Sequence, residues 1–282
     1  MIKAMFFDLD GTLLDNRKQI PTSARGAIIR CRKMGVRTYI VTARSPRLPV
    51  TLGWTDADFA LFDGAIHSNG ACVRQGNTLQ YCFIAPEAVR RCLREVRAAE
   101  GVEMSLHLPE DGHAFTFPTG DARLAHWRVP PDKLYPIDEH TLQNTLKLLI
   151  FHGDLVDARP PLPSSLGEHL TEACAGLARV LVTDQGRTIQ MMPLEAGKLQ
   201  AVERIRQQWG LAVEEVAVFG DDLNDLEMIA HYPHSVAMGN GADEVKAAAG
   251  FVTASNEEDG IAKGIAQLFS SCFSQHVSQE NH

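Results

Sequence analysis

Residues 6–14 read FFDLDGTLL, and the fold turns on how that stretch is read. Met5-Phe6-Phe7 opens an apolar run that ends at Gly11, the pattern of a short strand buried inside a parallel sheet. Yet Asp8 and Asp10 stand within it. Residues two apart on a strand share a side, so the two carboxylates should lie close together. An unpaired carboxylate taken out of water costs several kcal/mol. Two like charges about 4 Å apart add roughly 4 kcal/mol at an effective dielectric near 20. The end of this strand therefore needs a positive partner or serves as a working site.

Outward from that strand, strand and helix signals alternate. Ala24, Ala27, Ile28, Cys31 and Met34 recur at helical spacing, with Gly35 placed to stop the helix. VRTYIVTAR (36–44) reads as a strand ending at Thr42, FALFDGAIHSNGA (59–71) as a strand and turn, and ACVRQGNTLQYCFI (71–84) as a hairpin around Gly76-Asn77. The middle differs. PEAVRRCLREVRAAEG (86–101) predicts a helix with Pro86 at its start. VEMSLHL (102–108) alternates strictly, the mark of an antiparallel sheet covered on one face only. Residues 109–144 read as loop-heavy. TLKLLIF (145–151) is a strand, SSLGEHLTEACAG (164–176) a helix, and RVLVTD with RTIQMM a closing hairpin. From about 195 the first pattern returns, with VAVFG (216–220) a fully buried strand, LNDLEMIA (223–230) a helix, and SVAM and GFVT short strands. The order is α/β, an α+β insert, then α/β again.

The 282 residues suit about two domains of roughly 150 each. Lys and Arg number 27 against 35 Asp and Glu, a net charge of −8, which disfavours a nucleic-acid or membrane-surface partner. No apolar run reaches the roughly 18 residues of a membrane span, and the N-terminus does not read as a signal peptide. The six cysteines lack CxxC spacing and read as reduced thiols of a cytoplasmic protein. The eleven histidines are dispersed, and SQHVSQENH (274–282) reads as a frayed tail.

Three further stretches belong with the opening one: VTAR with Thr42, AGKLQAV with Lys198, and VFGDDLNDLEM with Asp221, Asp222, Asn224 and Asp225. All are expected at the C-terminal ends of parallel strands, where open α/β sheets place their sites. Together they supply a carboxylate cluster, a hydroxyl and an ammonium. Carboxylates completed by phosphate oxygens suit Mg²⁺, and the hydroxyl and ammonium suit the remaining phosphate oxygens.

Asp8-x-Asp10-Gly11-Thr12, Thr42, Lys198 and Gly220-Asp221-x3-Asp225 resemble the four motifs of the haloacid dehalogenase superfamily. Their order and the long insert between the second and third are similar to its Cof-type branch (subfamily IIB), as are Asn69-Gly70-Ala71, AMGNGADEVKAAA (237–249) and SNEEDGIAKGI (255–265). The resemblance implies a doubly wound parallel-sheet core over 1–85 and 188–272, an inserted α+β cap over 86–187, and a flexible tail over 273–282. It implies a Mg²⁺-dependent phosphatase acting on a small phosphorylated metabolite such as a sugar phosphate, as a monomer or weak homodimer. Asp8 would be the nucleophile and Asp10, kept partly protonated, the acid–base group. Leu9, Thr42, Ala43, Arg44, Asn69, Lys198 and Asn224 would bind the phosphate. Asp8, the Asp10 carbonyl, Asp221, and Asp222 or Asp225 would hold the metal.

Two positions depart from the family pattern, where glycine usually follows both the Thr and the Lys: here Ala43 and Leu199. Retention of a side chain at 43 predicts a negative φ there, with the N–H facing the phosphate. Other readings of the same residues are a phosphomutase, a phospho-accepting signalling protein of receiver type, and a catalytically dead binding module. The intact Asp8, Asp10, Lys198 and Asp221 argue against the last. The absence of GxGxxG after the first strand disfavours a dinucleotide enzyme.

Overall fold

The strand that carries Asp8 lies at the centre of a sheet covered on both faces, and its residues show why. In the computed structural model, β1 (Ala4–Phe7) is buried at every position. Ala4 and Phe6 face one apolar layer, Met5 and Phe7 the other. The structure describes residues 1–76, 78–118, 120, 124, 127–153 and 161–279, with side chains to 270. Asn77 of the expected hairpin turn lies outside the described residues.

The chain divides into two compact units, Met1–Leu79 with Gly197–His282, and Gln80–Ala196. In the first, α1 (Thr22–Lys33), β2 (Arg37–Val41), α2 (Leu48–Leu52), α3 (Asp56–Phe59), β3 (Gly64–His67) and β4 (Cys72–Gln75) follow β1, and β5 (Thr78–Tyr81) runs across the boundary at Leu79. In the second, the elements are α4 (Pro86–Ala98), β6 (Val102–His107), β7 (His113–Phe115), α5 (Glu139–Gln143), β8 (Lys147–His152), α6 (Ser164–Ala173), β9 (Ala178–Thr183) and β10 (Thr188–Pro193). The chain then returns to the first unit with α7 (Lys198–Gln208), β11 (Val216–Gly220), α8 (Leu226–His231), β12 (His234–Ala237), α9 (Asp243–Ala248), β13 (Phe251–Val252) and α10 (Gly260–Gln279).

The larger sheet has the order β13-β12-β11-β1-β2-β3-β4-β5. From β13 to β3 every pairing is parallel, with Phe6 level with Val218 on one side and Tyr39 on the other. Phe6 stacks on Tyr39 and Phe7 on Phe219, each pair with ring centroids 4.8 Å apart. Helices α1 and α10 bury Ala24, Ala27, Ile28, Ile261 and Ile265 against one face; α7 and α8 bury Val202, Ile205, Met228 and Ile229 against the other. Each Ile, Val or Met among them contributes about 1.5–3 kcal/mol when fully buried. The doubly wound α/β core is thus seen directly. No helix among the described residues is long and apolar enough to cross a membrane.

The second unit is an antiparallel sheet in the order β7-β6-β8-β10-β9. Val102, Met104, Leu106, Leu148 and Ile150 face α4 and α6, which bring Val89, Leu93, Leu166 and Leu170. The sequence boundary at 187/188 is corrected by β10. Residues 188–193 pair with both β8 and β9 and so belong to this unit. Residues 80–85 also fall in it: the Ile84 N–H donates to the Thr145 carbonyl, and the side chain is fully buried among the helices.

The opposite face is also not the open polar surface that VEMSLHL predicts. Ser105 is buried, and Phe115, Phe117, Trp127 and Phe151 pack together over it. Those aromatic residues come from segments 109–129 and β8, so the alternation in β6 alone does not reveal them. The stretch read as loop-heavy contains β7 and α5. The final helix continues to Gln279, past the expected start of a tail at 273. Residues 280–282 lie outside the described residues.

Candidate active site

Where β1 ends, the chain turns back on itself. The Asp8 N–H still donates to the Phe219 carbonyl (3.1 Å), and then the N–H groups of Thr12 and Leu14 both return to the Leu9 carbonyl. Gly11 makes this turn at φ +79°. A Cβ at Gly11 would come within 2.2 Å of Asp221 Oδ2, so the close approach of the two strand ends also requires glycine. Thr12 Oγ1 donates to Asp221 Oδ1 at 2.7 Å, and Asn240 Nδ2 donates to the Gly11 carbonyl at 2.8 Å. Asp8, at 5% exposure, is thereby buried beside Asp221.

Lys198 enters from another direction. It is the first residue of α7, after β10 of the antiparallel sheet, and not at a parallel strand's end as the sequence suggests. Close packing of Gly197 on Gly70 positions it: a Cβ at Gly70 would meet the Gly197 carbonyl at 2.5 Å. The buried ammonium donates to Asp8 Oδ1 at 2.7 Å, Asp225 Oδ1 at 2.6 Å and Asn224 Oδ1 at 3.3 Å. Asn224 Nδ2 reaches Asn69 Oδ1 at 3.3 Å, with Asn69 held at φ +51° in the turn Ser68–Gly70.

The four acidic residues divide by role. Oxygens of Asp8, Asp221 and Asp225 lie within 4.8 Å of one another. Asp225, however, has both oxygens committed: Oδ1 to Lys198, and Oδ2 to the N–H groups of Asp221 and Asp222, each at 3.2 Å. Asp222 is exposed and caps the turn Leu223–Asp225 by accepting the Leu223 N–H at 2.8 Å. Asp8 and Asp221 remain as the carboxylates able to face a cation, with a donor set that suits a hard one. Burial pushes the Asp221 carboxyl up to about 6, against the Thr12 hydrogen bond and helped by Asp225. Burial likewise raises the Asp8 carboxyl well above the usual range; Lys198 opposes it, while Asp225 and Asp221 add to it. Burial works against the Lys198 ammonium, but Asp225 and Asp8 outweigh it and keep it charged. The residues present fit a divalent ion: two desolvated carboxylates repel each other until one arrives.

Thr42 follows β2 and is buried; its N–H donates to the Ile66 carbonyl at 2.8 Å. Its Oγ1 accepts the Arg44 N–H at 3.1 Å, which leaves the hydroxyl proton free to donate. Among the described residues the non-glycine positions at positive φ include Lys18, Ser68 and Asn69, and Ala43 is not among them. The N–H groups of Leu9 and Ala43 have no acceptor among the described residues. Ala43→Gly is therefore expected to leave kcat/KM within a few-fold. It should also cost about 0.5–1 kcal/mol of stability by freeing the unfolded chain. Denaturant melts and steady-state rates check both, and a gain in stability would reveal strain at Ala43.

Asp10 corrects the sequence expectation of a partly protonated acid. Arg44 grips it through Nε to Oδ2 (2.5 Å) and Nη2 to Oδ1 (2.8 Å), and Lys18 Nζ adds a contact to Oδ1 at 2.7 Å. Burial acts to raise the Asp10 carboxyl, but these bonds and charges outweigh it and hold the group below the ordinary value. Lys18 carries no sequence signal of its own; its approach depends on a positive-φ turn at 62°. Thr12 and Gly11 lay inside the opening motif, and Asn240 inside AMGNGADEV, so their place at the site was open to reading.

Comparison with known proteins accords with this geometry. The haloacid dehalogenase-like hydrolase profile matches residues 5–265. YkrA of Bacillus subtilis is 29% identical over 278 residues, covering 94% of this chain and 97% of that protein. The 5-amino-6-(5-phospho-D-ribitylamino)uracil phosphatase YwtE of the same organism is 26% identical over 298 residues, covering 95% and 99%. The fold matches that of the subclass IIB sugar phosphatase BT4131 with a TM-score of 0.75 at 24% identity, covering 94% of this chain and 98% of that one. With its profile match, its strand order and its Asp–Lys–Asp cluster in agreement, the chain belongs to the haloacid dehalogenase-like hydrolases and is a phosphatase.

Proposed function

We propose that this phosphatase hydrolyses a small phosphorylated metabolite by way of an aspartyl-phosphate on Asp8, with Mg²⁺ as its cofactor. The observation that carries the reading is the buried Lys198 ammonium, which bridges Asp8 and Asp225 while Asp221 lies beside them. Asp8, the Asp10 carbonyl and Asp221 would hold the ion, which when bound offsets the charge of the phosphoryl oxygens. Asp225 and Asn224 keep Lys198 aimed at the same oxygens. The Thr42 hydroxyl and the N–H groups of Leu9 and Ala43 have the donors to complete the cradle.

In the first half-reaction an Asp8 carboxylate oxygen bonds to phosphorus as the P–O bond to the leaving group breaks. Asp10 gives that oxygen a proton. In the second, water attacks phosphorus, Asp10 takes the water's proton, and the bond between Asp8 and phosphorus breaks. Because Asp10 is held ionised by Arg44 and Lys18, it must first gain a proton. Transfer of Arg44 from Asp10 to the incoming phosphate would release the carboxyl to do so. The relatives named for a ribitylaminouracil phosphate and a sugar phosphate support a small metabolite as substrate.

The test is a panel of phosphorylated metabolites assayed with Mg²⁺, with a chelator, and with Mg²⁺ restored. Activity indifferent to the chelator would defeat the metal-dependent reading. A second expectation follows from Asp221. Its proton must leave before a cation binds, so Mg²⁺ affinity should fall about tenfold per pH unit below about pH 6. Calorimetric titration at a series of pH values measures this; an affinity flat from about pH 7 to 5 would remove Asp221 from the ligand set.

A further inference from the structure

The outer backbone groups of a sheet's last strand need water or a partner. Among the described residues, the edge strands β13, β7 and β5 are two, three and four residues long, whereas β9 has six. The β7 edge is also covered: Leu134 bridges to His113, whose carbonyl accepts the Tyr135 N–H at 2.8 Å. Nothing comparable lies along β9. Outside its ladder with β10, no backbone group of Val180–Thr183 has a hydrogen-bond partner. The strand reads ARVLVT (178–183), without the proline or lysine that commonly guards an edge. Its one charge, Arg179, donates through Nε to the Leu194 carbonyl at 3.1 Å. Leu181 and Val182 are 40% and 56% exposed. Val182 turns toward α6, where a Cβ on Gly167 would lie 3.1 Å from its Cγ2, and Val180 packs on the same core. Beside Val182 a cavity of about 650 Å³ opens, lined by Leu162, Gly167, Thr171 and Ile189 among others.

The sequence of β9 decides which strand fits there. A two-fold contact uses the same patch on both copies, and residues opposite each other in an antiparallel pair must point the same way. Centred on Leu181, the pairing sets Leu181 against Leu181 of the second copy, Val180 against Val182, and Arg179 against Thr183. Apolar residues then meet at the three central positions, and like charges oppose each other nowhere. Centred one residue later it would set Val180 against Asp184, and one residue earlier Arg179 against Leu181. We propose that the β9 edge is a homodimer interface, in which two copies pair antiparallel about Leu181 and the valines of each close the cavity beside the other's α6. None of the residues that face the phosphate or the metal belongs to it.

Sedimentation equilibrium of the full-length protein over a concentration series should give a mass that climbs from one chain toward two. Leu181→Lys and Leu181→Glu should each hold the mass at one chain, because each sets like charges directly opposite. An equimolar mixture of the two variants should associate again. In the wild type, amide hydrogens within 180–183 should exchange severalfold more slowly at the concentrated end of the series, while those of β7 stay unchanged. A mass of one chain at every concentration would overturn the proposal and leave the edge to a strand from another protein. So would an association that Leu181→Lys leaves intact, or a mixture that fails to recover it. Should either variant fail to fold, the wild-type exchange decides alone, and rates independent of concentration overturn the proposal. No turnover enters the measurement, so failure here leaves the phosphatase reading untouched.

Discussion

Asp8→Asn is expected to lower turnover by at least about 10⁴-fold and to leave no phosphoenzyme. The amide keeps the shape and one acceptor for Lys198 but cannot attack phosphorus. Rapid-quench labelling of the wild type should place the phosphoryl group on Asp8. The stability of this variant is informative as well. Burial raises the folded-state pKa of Asp8, so its ionised form costs stability at any pH above the ordinary carboxylate value. A neutral side chain removes that cost, and the metal-free variant should unfold at a temperature no lower than that of the wild type. Substantial activity in Asp8→Asn, or label recovered on another residue, would end the assignment.

Lys198→Met is expected to do the reverse to stability. The ammonium is 1% exposed and shared by two carboxylates that are nearly as deeply buried. Its removal leaves Asp8 and Asp225 as uncompensated buried charges, worth about 3–5 kcal/mol in denaturant unfolding. Activity should be lost with it, because the phosphoryl oxygens lose a fixed cation. A second substitution separates the two effects. Lys198→Met with Asp225→Asn retains an acceptor for the N–H groups of Asp221 and Asp222 and removes one of the stranded charges. Much of the stability should return while the activity does not. Recovery of both would mean that Lys198 acts only as a structural counter-ion.

The sequence showed its architecture where one element answers to one pattern. Met5-Phe6-Phe7 and VAVFG are apolar throughout because helices cover both faces of their sheet, and no other placement suits them. The convergence of Asp8, Lys198 and Asp221 was legible through the set of four motifs in order and its resemblance to a known family, since Lys198 alone reads as a surface lysine. What remained hidden depends on partners distant in sequence. The Arg44 and Lys18 grip on Asp10 depends on where two loops cross, which their composition does not encode. The helix-like spacing of Asp221, Asp222 and Asp225 cannot tell a metal ligand from a residue whose oxygens serve Lys198 and two backbone N–H groups. The boundary at 188 was misplaced because RTIQMM looks alike at the end of one sheet or the start of another. Ser105 was read as exposed because the aromatic residues above it come from stretches rich in Pro, Asp and His.

The strand order has a consequence for how the protein is made. β1 pairs with β2, which follows it closely, and with β11, which begins at residue 216. At 5–20 residues per second, a ribosome needs roughly 10–40 s to produce the second partner after the first strand has emerged. Throughout that interval the nascent chain holds Ala4–Phe7 with one edge open, on an apolar segment that contains two phenylalanines. The whole second unit is synthesised in the meantime, and its β6–β7 and β9–β10 hairpins, each joined through a short connection, can pair without waiting. The phosphatase half therefore depends on its final third to close the edge of its first strand. A chain stalled before residue 216 would present that edge to other nascent chains or to a holding chaperone.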